Sequence, residues 1–316
     1  MNPYNQRRIT VAGRNQALPI LFDTTRPKQW IKNLFIFAPA LFTLRILDSH
    51  LWGDLLLGFI GFSLVSSAVY TLNDIFNRAE DRLHPVKKNR PIAVGTLSIP
   101  LAVLLIAILL SAGAGLLTLV SYPAVFIALA YFALMLLYTL WFRRLMIVDV
   151  IIIGIGFVLR VETGAQIINE PTSHWIILCT FTIALFLALI KRRQEIIITT
   201  SLPDDRSVPS GGRSVLSRYP NPTILDSWIT VLAGMTILSY ALYTVDPGTI
   251  AKHHTNMLLY TVPFVVYGIF RYHQRALTGS AGENPAQIVL TDTGIRFAVV
   301  LWVGAVGTIL WIAGGH

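Results

Sequence analysis

Long apolar runs separated by short polar segments dominate the chain. Nine of these runs are long enough, or nearly so, to cross a hydrocarbon layer of about 30 Å as α-helices. They cover residues 31–47, 55–72, 99–120, 123–140, 146–168, 175–190, 224–245, 257–270 and 295–312. The eighth run is short, and Pro39 and Arg45 interrupt the first. The pattern predicts an all-α, polytopic membrane protein with nine transmembrane helices.

The composition supports a membrane protein. Of the 316 residues, 54% are hydrophobic and only 13% are charged, whereas soluble domains have about 25% charged residues. Cys179 is the only cysteine, which excludes an intrachain disulfide and a thiolate metal cluster. We expect a cytoplasmic tail at 1–30, without the apolar region of a signal peptide, and a single transmembrane domain at 31–316. Inside the Ser-, Pro- and Gly-rich loop at 191–223, the segment SLPDDRSVPSGGRS at 201–214 is interpreted as a linker rather than a mobile cover.

The distribution of positive charge predicts the orientation in the membrane. A net charge of +9 could indicate a nucleic-acid partner. With a cytoplasmic N-terminus and nine spans, however, every Lys and Arg except Arg45, Arg160 and Lys252 falls on the cytoplasmic side. This asymmetry is typical of multi-pass membrane proteins. We therefore expect a cytoplasmic-membrane protein and no nucleic-acid partner.

A polar stretch at 73–90, NDIFNRAEDRLHPVKKNR, contains a candidate cation site. Asp74, Asn77 and Asp81 recur at spacings of three and four, which place side chains on one face of a helix. Together with Asn73 they offer oxygen ligands of the kind that Mg²⁺ prefers. A solvated helix end with an Asx cap is the alternative interpretation.

Basic residues follow the acidic ones in the same stretch. They are His84, Lys87, Lys88 and Arg90. Cations beside a carboxylate-bound metal are suited to a diphosphate, because metal and cations share its negative charge. The alternative is a basic loop that only orients the protein in the membrane.

Asp149 and Arg160 are a second candidate pair. They are eleven residues apart, or about three turns and about 16 Å on one helix face, so that face should line a cavity. An arginine within a span is costly unless it meets water, an anion or a partner. A structural ion pair with another helix is the alternative.

Two further basic groups lie near predicted helix ends. Lys191, Arg192 and Arg193 end the sixth span, while Lys28 and Lys32 flank Trp30. Either group could hold a second anion or anchor the protein at lipid headgroups.

Several segments together resemble the UbiA superfamily of intramembrane prenyltransferases, and more narrowly its decaprenyl-phosphate phosphoribosyltransferase branch. The similarity covers nearly the whole chain. It is carried by RPKQWIKN at 26–33, NDIFNRAEDRLHPVKKNRPIAVG at 73–95, the spacing of Tyr138, Arg143 and Asp149, GFVLR ending at Arg160, KRRQE at 191–195 and GENPAQIVLTD at 282–292.

The resemblance implies a nine-helix bundle whose cavity opens to the cytoplasm and to the bilayer. Asn73, Asp74 and Asp81 would match the NDxxDxxxD motif and hold Mg²⁺ on a diphosphate. Asn77 stands where the motif has an aspartate, so it supplies an oxygen but no charge. Arg143 stands where the branch commonly has lysine, which changes the geometry but keeps the charge.

The implied substrates are phosphoribosyl diphosphate and a polyprenyl phosphate. Asp74, Asp81 and Asp149 are then the candidate catalytic residues, with Asp149 orienting either the ribose hydroxyls or a second metal. The candidate substrate-binding residues are Lys28, Lys32, Lys87, Lys88, Arg90, Tyr138, Arg143, Arg160, Lys191, Arg192 and Arg193.

Two other functions remain open at this point. One is a related enzyme that transfers a prenyl group from a prenyl diphosphate to an aromatic or lipid acceptor. The other is a lipid transporter, which the absence of a convincing internal repeat disfavours. The sequence also leaves open the number of Mg²⁺ ions, the length of the lipid and whether the protein is a homo-oligomer.

Overall fold

The computed structural model describes residues 14–43, 45–83, 87–201, 222–278, 288–289 and 291–314. Within these ranges the regular structure is helical. The α-helices are α1 Arg14–Thr25, α2 Ala38–Phe42, α3 Leu51–Phe76, α4 Arg78–Leu83, α5 Pro91–Val94, α6 Ile99–Val120, α7 Tyr122–Leu140, α8 Val148–Ile167, α9 His174–Ser201, α10 Pro222–Val245, α11 Pro247–His253, α12 Val262–Thr278 and α13 Thr293–Ala313. Short 3₁₀-helices cover Arg45–Leu47, Lys87–Asn89, Phe142–Arg144 and Met257–Thr261, and a longer one covers Pro27–Phe37.

Seven helices in the described ranges are long and apolar enough to cross a membrane, namely α3, α6, α7, α8, α9, α10 and α13. The predicted all-α, multi-pass architecture is therefore confirmed, but the count of nine spanning helices is not. The predicted spans at 31–47 and 257–270 both contain 3₁₀ structure. The second of them continues into α12, which has only 17 residues and carries Arg271 and Arg275.

The first predicted span is mostly a 3₁₀-helix of 11 residues, although such helices rarely exceed three or four. Its burial repeats every three residues, as three residues per turn require. Trp30 is half-buried and Asn33 and Ile36 are buried, whereas Ile31 and Leu34 are exposed on another face. The buried face packs against α3 and α8. Most of the apolar run at 31–47 therefore forms a 3₁₀-helix with three residues per turn, not the α-helix that hydropathy suggests.

This segment nevertheless has the length of a membrane span. The 3₁₀-helix and α2 together rise about 30 Å, which matches the hydrocarbon thickness. Arg45 follows α2 and pairs with Glu170, just beyond the end of α8, with Nη1 to Oε1 at 3.4 Å. Lys252 donates to the same carboxylate at 2.8 Å, and this hydrogen bond lowers the pKa of Glu170. Arg45, which the sequence placed within a span, thus lies at one end of the bundle, called here the Glu170 end.

Close helix contacts organise the rest of the bundle. Gly61 on α3 and Gly113 on α6 face each other so closely that a Cβ on Gly113 would lie 2.7 Å from the Gly61 carbonyl oxygen. Small residues allow this approach, as is common between membrane helices.

Helix α8 packs between α7 and α9, α10 packs on α9, and α12 packs on α13. Helix α3 also carries a buried polar row toward the 3₁₀-helix, formed by Ser63, Ser66, Ser67, Thr71 and Asp74.

Substitution of Gly164 tests how closely the 3₁₀-helix packs on α8. A Cβ at this position would collide with the backbone of Ile36, which cannot rotate away as a side chain could. We expect Gly164→Ala to destabilise the protein by more than about 2 kcal/mol, measured as a lower midpoint of thermal unfolding in detergent. Gly234→Ala on α10 is the matched control, because its Cβ would meet nothing within 4 Å. An unfolding midpoint of Gly164→Ala equal to that of the wild type would contradict this close contact between α8 and the 3₁₀-helix.

Candidate functional site

Two buried carboxylates meet at one guanidinium at the end of the bundle opposite Glu170, called here the Asp74 end. Helix α3 ends at Phe76 and α4 begins at Arg78, yet both Asp74 and Asp81 contact Arg90 Nη1, at 3.0 and 2.7 Å. Arg26 also pairs with Asp74. Both aspartates are 3% exposed. The structure therefore brings Asp74 and Asp81 together and holds them with two arginines. We name this group the Asp74 junction.

The two asparagines of the stretch have different partners. Asn73 accepts a hydrogen bond from Thr139 on α7, and Asn77 accepts one from Arg143. Arg143 also pairs with Glu80, with Nη2 to Oε1 at 3.0 Å. Arg143 thus links Asn77, which lacks the charge of an aspartate, to a carboxylate one turn further along the chain. Glu80 thus supplies negative charge beside Asn77, but its described partner is Arg143 and not an arginine of the Asp74 junction.

The oxygen donors of the Asp74 junction fit a hard cation. Because two carboxylate oxygens converge on Arg90 Nη1, a cation near that point would have both aspartates within reach. No group of three or more His, Cys, Asp and Glu side chains in the described ranges is arranged for a metal. A cation here would need further ligands from substrate oxygens and water, which is how Mg²⁺ is usually bound. The residues therefore fit Mg²⁺ carrying a diphosphate.

The basic segment after α4 is described at 87–90, where Arg90 contacts the Asp74 junction. Arg78 and Arg82 donate to the carbonyl oxygens of Ile92 and Ala93, at 3.1 and 2.9 Å, and so fix α4 to α5. Lys87 and Lys88 keep exposed side chains. His84 lies outside the described residues.

Lys87 lies between two charged groups. Desolvation by the surrounding protein, followed by the charge of Arg90, lowers its pKa, while Asp81 and Glu195 act in the opposite direction. Asp81 belongs to the Asp74 junction, and Glu195 lies on α9. Lys87 is therefore within electrostatic range of both Asp81 in the Asp74 junction and Glu195 on α9.

Asp149 is fully buried at the start of α8 and pairs with Arg192 on α9, with Oδ2 to Nε at 2.9 Å. Arg192 also pairs with Glu195 at 2.6 Å and donates to the Tyr138 hydroxyl at 3.3 Å. These contacts join α7, α8 and α9 at the Asp74 end. They place Asp149 in a position to orient Arg192, a role that the sequence did not suggest.

The three basic residues that end the sixth predicted span point in different directions. Lys191 is exposed and lies 3.8 Å from Glu195. Arg192 is held by Asp149. Arg193 pairs instead with Asp226 on α10, with Nη2 to Oδ2 at 3.3 Å. Arg193 therefore does not join the other candidate residues, because neighbouring side chains on a helix are about 100° apart.

Arg160 is buried within the bundle and has only neutral partners among the described residues. It donates to Asn33 Oδ1 at 2.7 Å, to the Gly156 carbonyl at 2.6 Å and to the Tyr131 hydroxyl at 2.9 Å. Its guanidinium lies 4.6 Å from the centre of the Tyr131 ring and 5.4 Å from that of Phe62. The structural ion pair considered for Arg160 is thus absent in the part of the chain that is described.

Lys28 and Lys32 also differ in position. Lys28 is exposed, whereas Lys32 is half-buried and feels the charges of Lys191, Arg160 and Arg26. The segment at 26–33 therefore contributes to two places: Arg26 pairs with Asp74, and Asn33, next to Lys32, accepts from Arg160.

Arg26 is a site residue that the sequence did not identify. Its only signal was its place at the start of the segment RPKQWIKN. It adopts a left-handed backbone with φ of 52° immediately before Pro27, a position where the α conformation is disfavoured. This turn separates α1 from the 3₁₀-helix and lets the side chain reach Asp74.

The segment at 282–292 is described only at 288–289 and 291–292, so most of it lies outside the described residues. Asp292 pairs with Arg271 at 3.0 Å and with Arg275 at 3.2 Å. The hydrogen bond from Arg271 is the main cause that lowers the pKa of Asp292. Asp292 also accepts from the backbone N–H of Ile295 and thereby caps α13. These contacts tie α12 to α13.

The sequence matches the model of the UbiA prenyltransferase family over residues 34–289. The chain belongs to the UbiA prenyltransferase family. The predicted resemblance is thereby confirmed, and this multi-pass membrane protein is a member of a family of transferases.

Curated relatives of this UbiA family member include two proteins named decaprenyl-phosphate phosphoribosyltransferase. The one from Corynebacterium glutamicum is 30% identical over 293 residues, which cover 90% of this chain and 84% of that protein. The one from Mycolicibacterium smegmatis is 26% identical over 304 residues, or 93% of each protein.

A solved structure of a UbiA homolog from Archaeoglobus fulgidus bound to DMAPP and Mg²⁺ has the same fold. The two chains are 16% identical and superpose with a TM-score of 0.69, over 92% of this chain and 99% of the other. At this level of identity the similarity shows the fold alone.

Arg90 tests whether the Asp74 junction is a cation site. If the guanidinium competes with a metal for the two carboxylates, Arg90→Gln should tighten the binding of Mg²⁺ to the substrate-free protein by about 5- to 10-fold, or about 1 to 1.4 kcal/mol. The measurement is competition of Mg²⁺ with Mn²⁺, whose free concentration is followed by electron paramagnetic resonance. Arg193→Gln is the control, since its partner is Asp226. Unchanged or weaker Mg²⁺ binding in Arg90→Gln would contradict a metal site at the Asp74 junction.

Proposed function

We propose that this UbiA family member transfers the 5-phosphoribosyl group of phosphoribosyl diphosphate to a polyprenyl phosphate and releases diphosphate. The observation that carries the proposal is the excess of cations at the Asp74 end. The carboxylates there are Asp74, Glu80, Asp81, Asp149 and Glu195, while the cations are Arg26, Lys32, Lys87, Arg90, Arg143, Lys191 and Arg192. This surplus suits two anionic substrates meeting in one cavity.

The relatives support the same reaction. Those named decaprenyl-phosphate phosphoribosyltransferase are similar over 90% and 93% of this chain, and the family match at 34–289 spans the segments that contain Asp74, Asp149 and Arg192. An aromatic acceptor of a prenyl group would add little negative charge and would need fewer cations than a second phosphate. The same charge pattern supports an orientation with the N-terminus and the site facing the cytoplasm.

The reaction needs no strong base. An oxygen of the polyprenyl phosphate is already ionised near neutral pH and attacks the anomeric carbon of the ribose. A bond forms between that oxygen and the carbon, and the bond from the carbon to the diphosphate oxygen breaks. The electron pair of the broken bond leaves with diphosphate, so no proton has to move.

The protein's contribution is to position the two anions and neutralise them. Asp74 and Asp81, with the amide oxygens of Asn73 and Asn77, would hold Mg²⁺, which neutralises charge on the diphosphate when it is bound. Arg26 and Arg90 lie at the same place and would bind the departing diphosphate directly. Asp149 forms a buried ion pair with Arg192 and would orient it, and Arg192 in turn would contact the second anion.

A direct assay tests this function. The purified protein is incubated with labelled phosphoribosyl diphosphate, polyprenyl phosphate and Mg²⁺, and we expect label to move into the lipid-soluble fraction. Omission of the polyprenyl phosphate or of Mg²⁺ should prevent this transfer. Absence of a ribosylated lipid, combined with turnover of a prenyl diphosphate and an aromatic acid, would replace the proposal with the prenyl-transfer reaction.

Asp74 is expected to be essential to turnover. Asp74→Asn removes one charge from the pair that converges on Arg90, so we expect Mg²⁺-dependent transfer to fall by at least about 100-fold, or about 2.7 kcal/mol. Asp54→Asn, at the other end of α3, is the matched control and should keep wild-type turnover. Both variants are checked for the wild-type elution volume in detergent. Full activity of Asp74→Asn would remove Asp74 from the metal site.

A further inference from the structure

Three polar side chains next to the Asp74 junction have bonding capacity that the protein does not use. Among the described residues, the ammonium of Lys32 and the hydroxyl of Tyr70 have no hydrogen-bond or ion-pair partner. Arg160 uses three of its N–H groups on neutral acceptors, and a guanidinium has five. Lys32 and Tyr70 keep accessible surface, so these unused donors are available to a ligand.

The three side chains belong to one region. Ser66, one turn before Tyr70 on α3, donates to Asn33 Oδ1 at 3.4 Å. Asn33, the neighbour of Lys32 in the chain, accepts from Arg160 at 2.7 Å. Lys32 and Tyr70 are both half-buried, so they keep accessible surface within the bundle. Together they form a positively charged group with no carboxylate among its described contacts.

The position of Lys32 is fixed by the residues on either side of it. Trp30 Nε1 donates to Ser67 Oγ at 3.0 Å, and Asn33 Nδ2 donates to Ser63 Oγ at 2.9 Å. Both acceptors lie on the buried polar row of α3. The 3₁₀-helix is thus attached to α3 through Trp30 and Asn33, which sets the rotation at which Lys32 leaves the backbone.

The region lies one helical turn from the Asp74 junction. Tyr70 and Asp74 are four residues apart on α3, on one face of the helix and about 6 Å apart along its axis. Arg26 connects the two places, because it pairs with Asp74 and its guanidinium lies 5.7 Å from the centre of the Tyr70 ring. A ligand with two separated anionic groups could therefore contact both places at once.

We propose that Lys32, Tyr70 and Arg160 bind the 5-phosphate of the donor while its diphosphate occupies the Asp74 junction. The inference rests on the proposed function. In the donor, the ribose ring separates the anomeric carbon from the 5-phosphate by a few bonds, which suits two sites one helical turn apart. A prenyl diphosphate would instead bring an apolar chain against unpaired cations, which is unfavourable because the cations would lose water without gaining a partner. The subsite therefore selects a phosphorylated sugar over an isoprenyl group.

Two conservative variants test the subsite. Lys32→Met removes the charge and keeps an apolar stem, and Tyr70→Phe removes only the hydroxyl. Binding of ribose 5-phosphate to the purified protein is measured by isothermal titration calorimetry, without turnover. We expect Lys32→Met to weaken this binding, and to raise KM for phosphoribosyl diphosphate, by roughly 10- to 100-fold, and Tyr70→Phe by roughly 2- to 10-fold. The affinity for inorganic diphosphate and KM for the polyprenyl phosphate should change less than about twofold.

Lys252→Met is the matched control, because Lys252 lies at the Glu170 end and pairs with Glu170. It should bind ribose 5-phosphate as the wild type does. All variants are compared by elution volume and thermal unfolding, so that a loss of binding is not confused with a loss of folding.

The outcomes separate the subsite from the reaction. Unchanged ribose 5-phosphate binding in Lys32→Met overturns the subsite, even if the wild-type protein forms the ribosylated lipid. A higher KM for polyprenyl phosphate with unchanged ribose 5-phosphate binding also overturns it, because the cations would then serve the lipid phosphate. A wild-type protein that binds ribose 5-phosphate through Lys32 but forms no ribosylated lipid would keep the subsite and remove the proposed transfer.

Discussion

The ion pairs of Asp74 hold together three segments that are far apart in the sequence. A carboxylate enclosed in an apolar bundle costs several kcal/mol unless cations compensate it. Arg26 reaches Asp74 from the turn before the 3₁₀-helix, and Arg90 reaches it from the loop after α4. Because Arg90 also binds Asp81, the folding of this loop is coupled to the end of α3. The charge of Asp74 thus fixes the segments on both sides of α3.

Hydrogen bonds between neutral polar groups extend this attachment of α3 to the neighbouring segments further into the bundle. Ser67 donates to the carbonyl oxygen of Thr25 at 2.8 Å and accepts from Trp30, so the start of the 3₁₀-helix follows the position of the turn at residue 26. Asn33 then connects this helix to Arg160 on α8. A period of three residues places Trp30 and Asn33 on one face, which a regular α-helix would not do as well. The unusual length of the 3₁₀-helix therefore has a structural reason.

The membrane helices were largely predictable because hydropathy records contact with lipid, whereas partner choice in the site was not. The run at 99–120 coincides with α6. The run at 31–47 was also apolar, but hydropathy could not distinguish a period of three from a period of 3.6, so the 3₁₀-helix was missed.

In the site, the stretch at 73–90 was identified by its charges. Arg192 and Arg193 looked equivalent, yet they pair with carboxylates on different helices. Which of the two faces the site depends on the neighbours of α9, and that information has no local signature.

The two parts of the site differ in how their charge is compensated, and this difference bears on selectivity. At the Asp74 junction the arginines already have carboxylate partners, so a metal-bound diphosphate would exchange one set of ion pairs for another. Such an exchange conserves the number of charge contacts and discriminates weakly between donors. Around Arg160 the described partners are neutral, so an anion there gains contacts without displacing any. The strongest discrimination between a phosphorylated sugar and an isoprenyl chain is therefore expected where the cations have no carboxylate, one turn away from the bond that breaks.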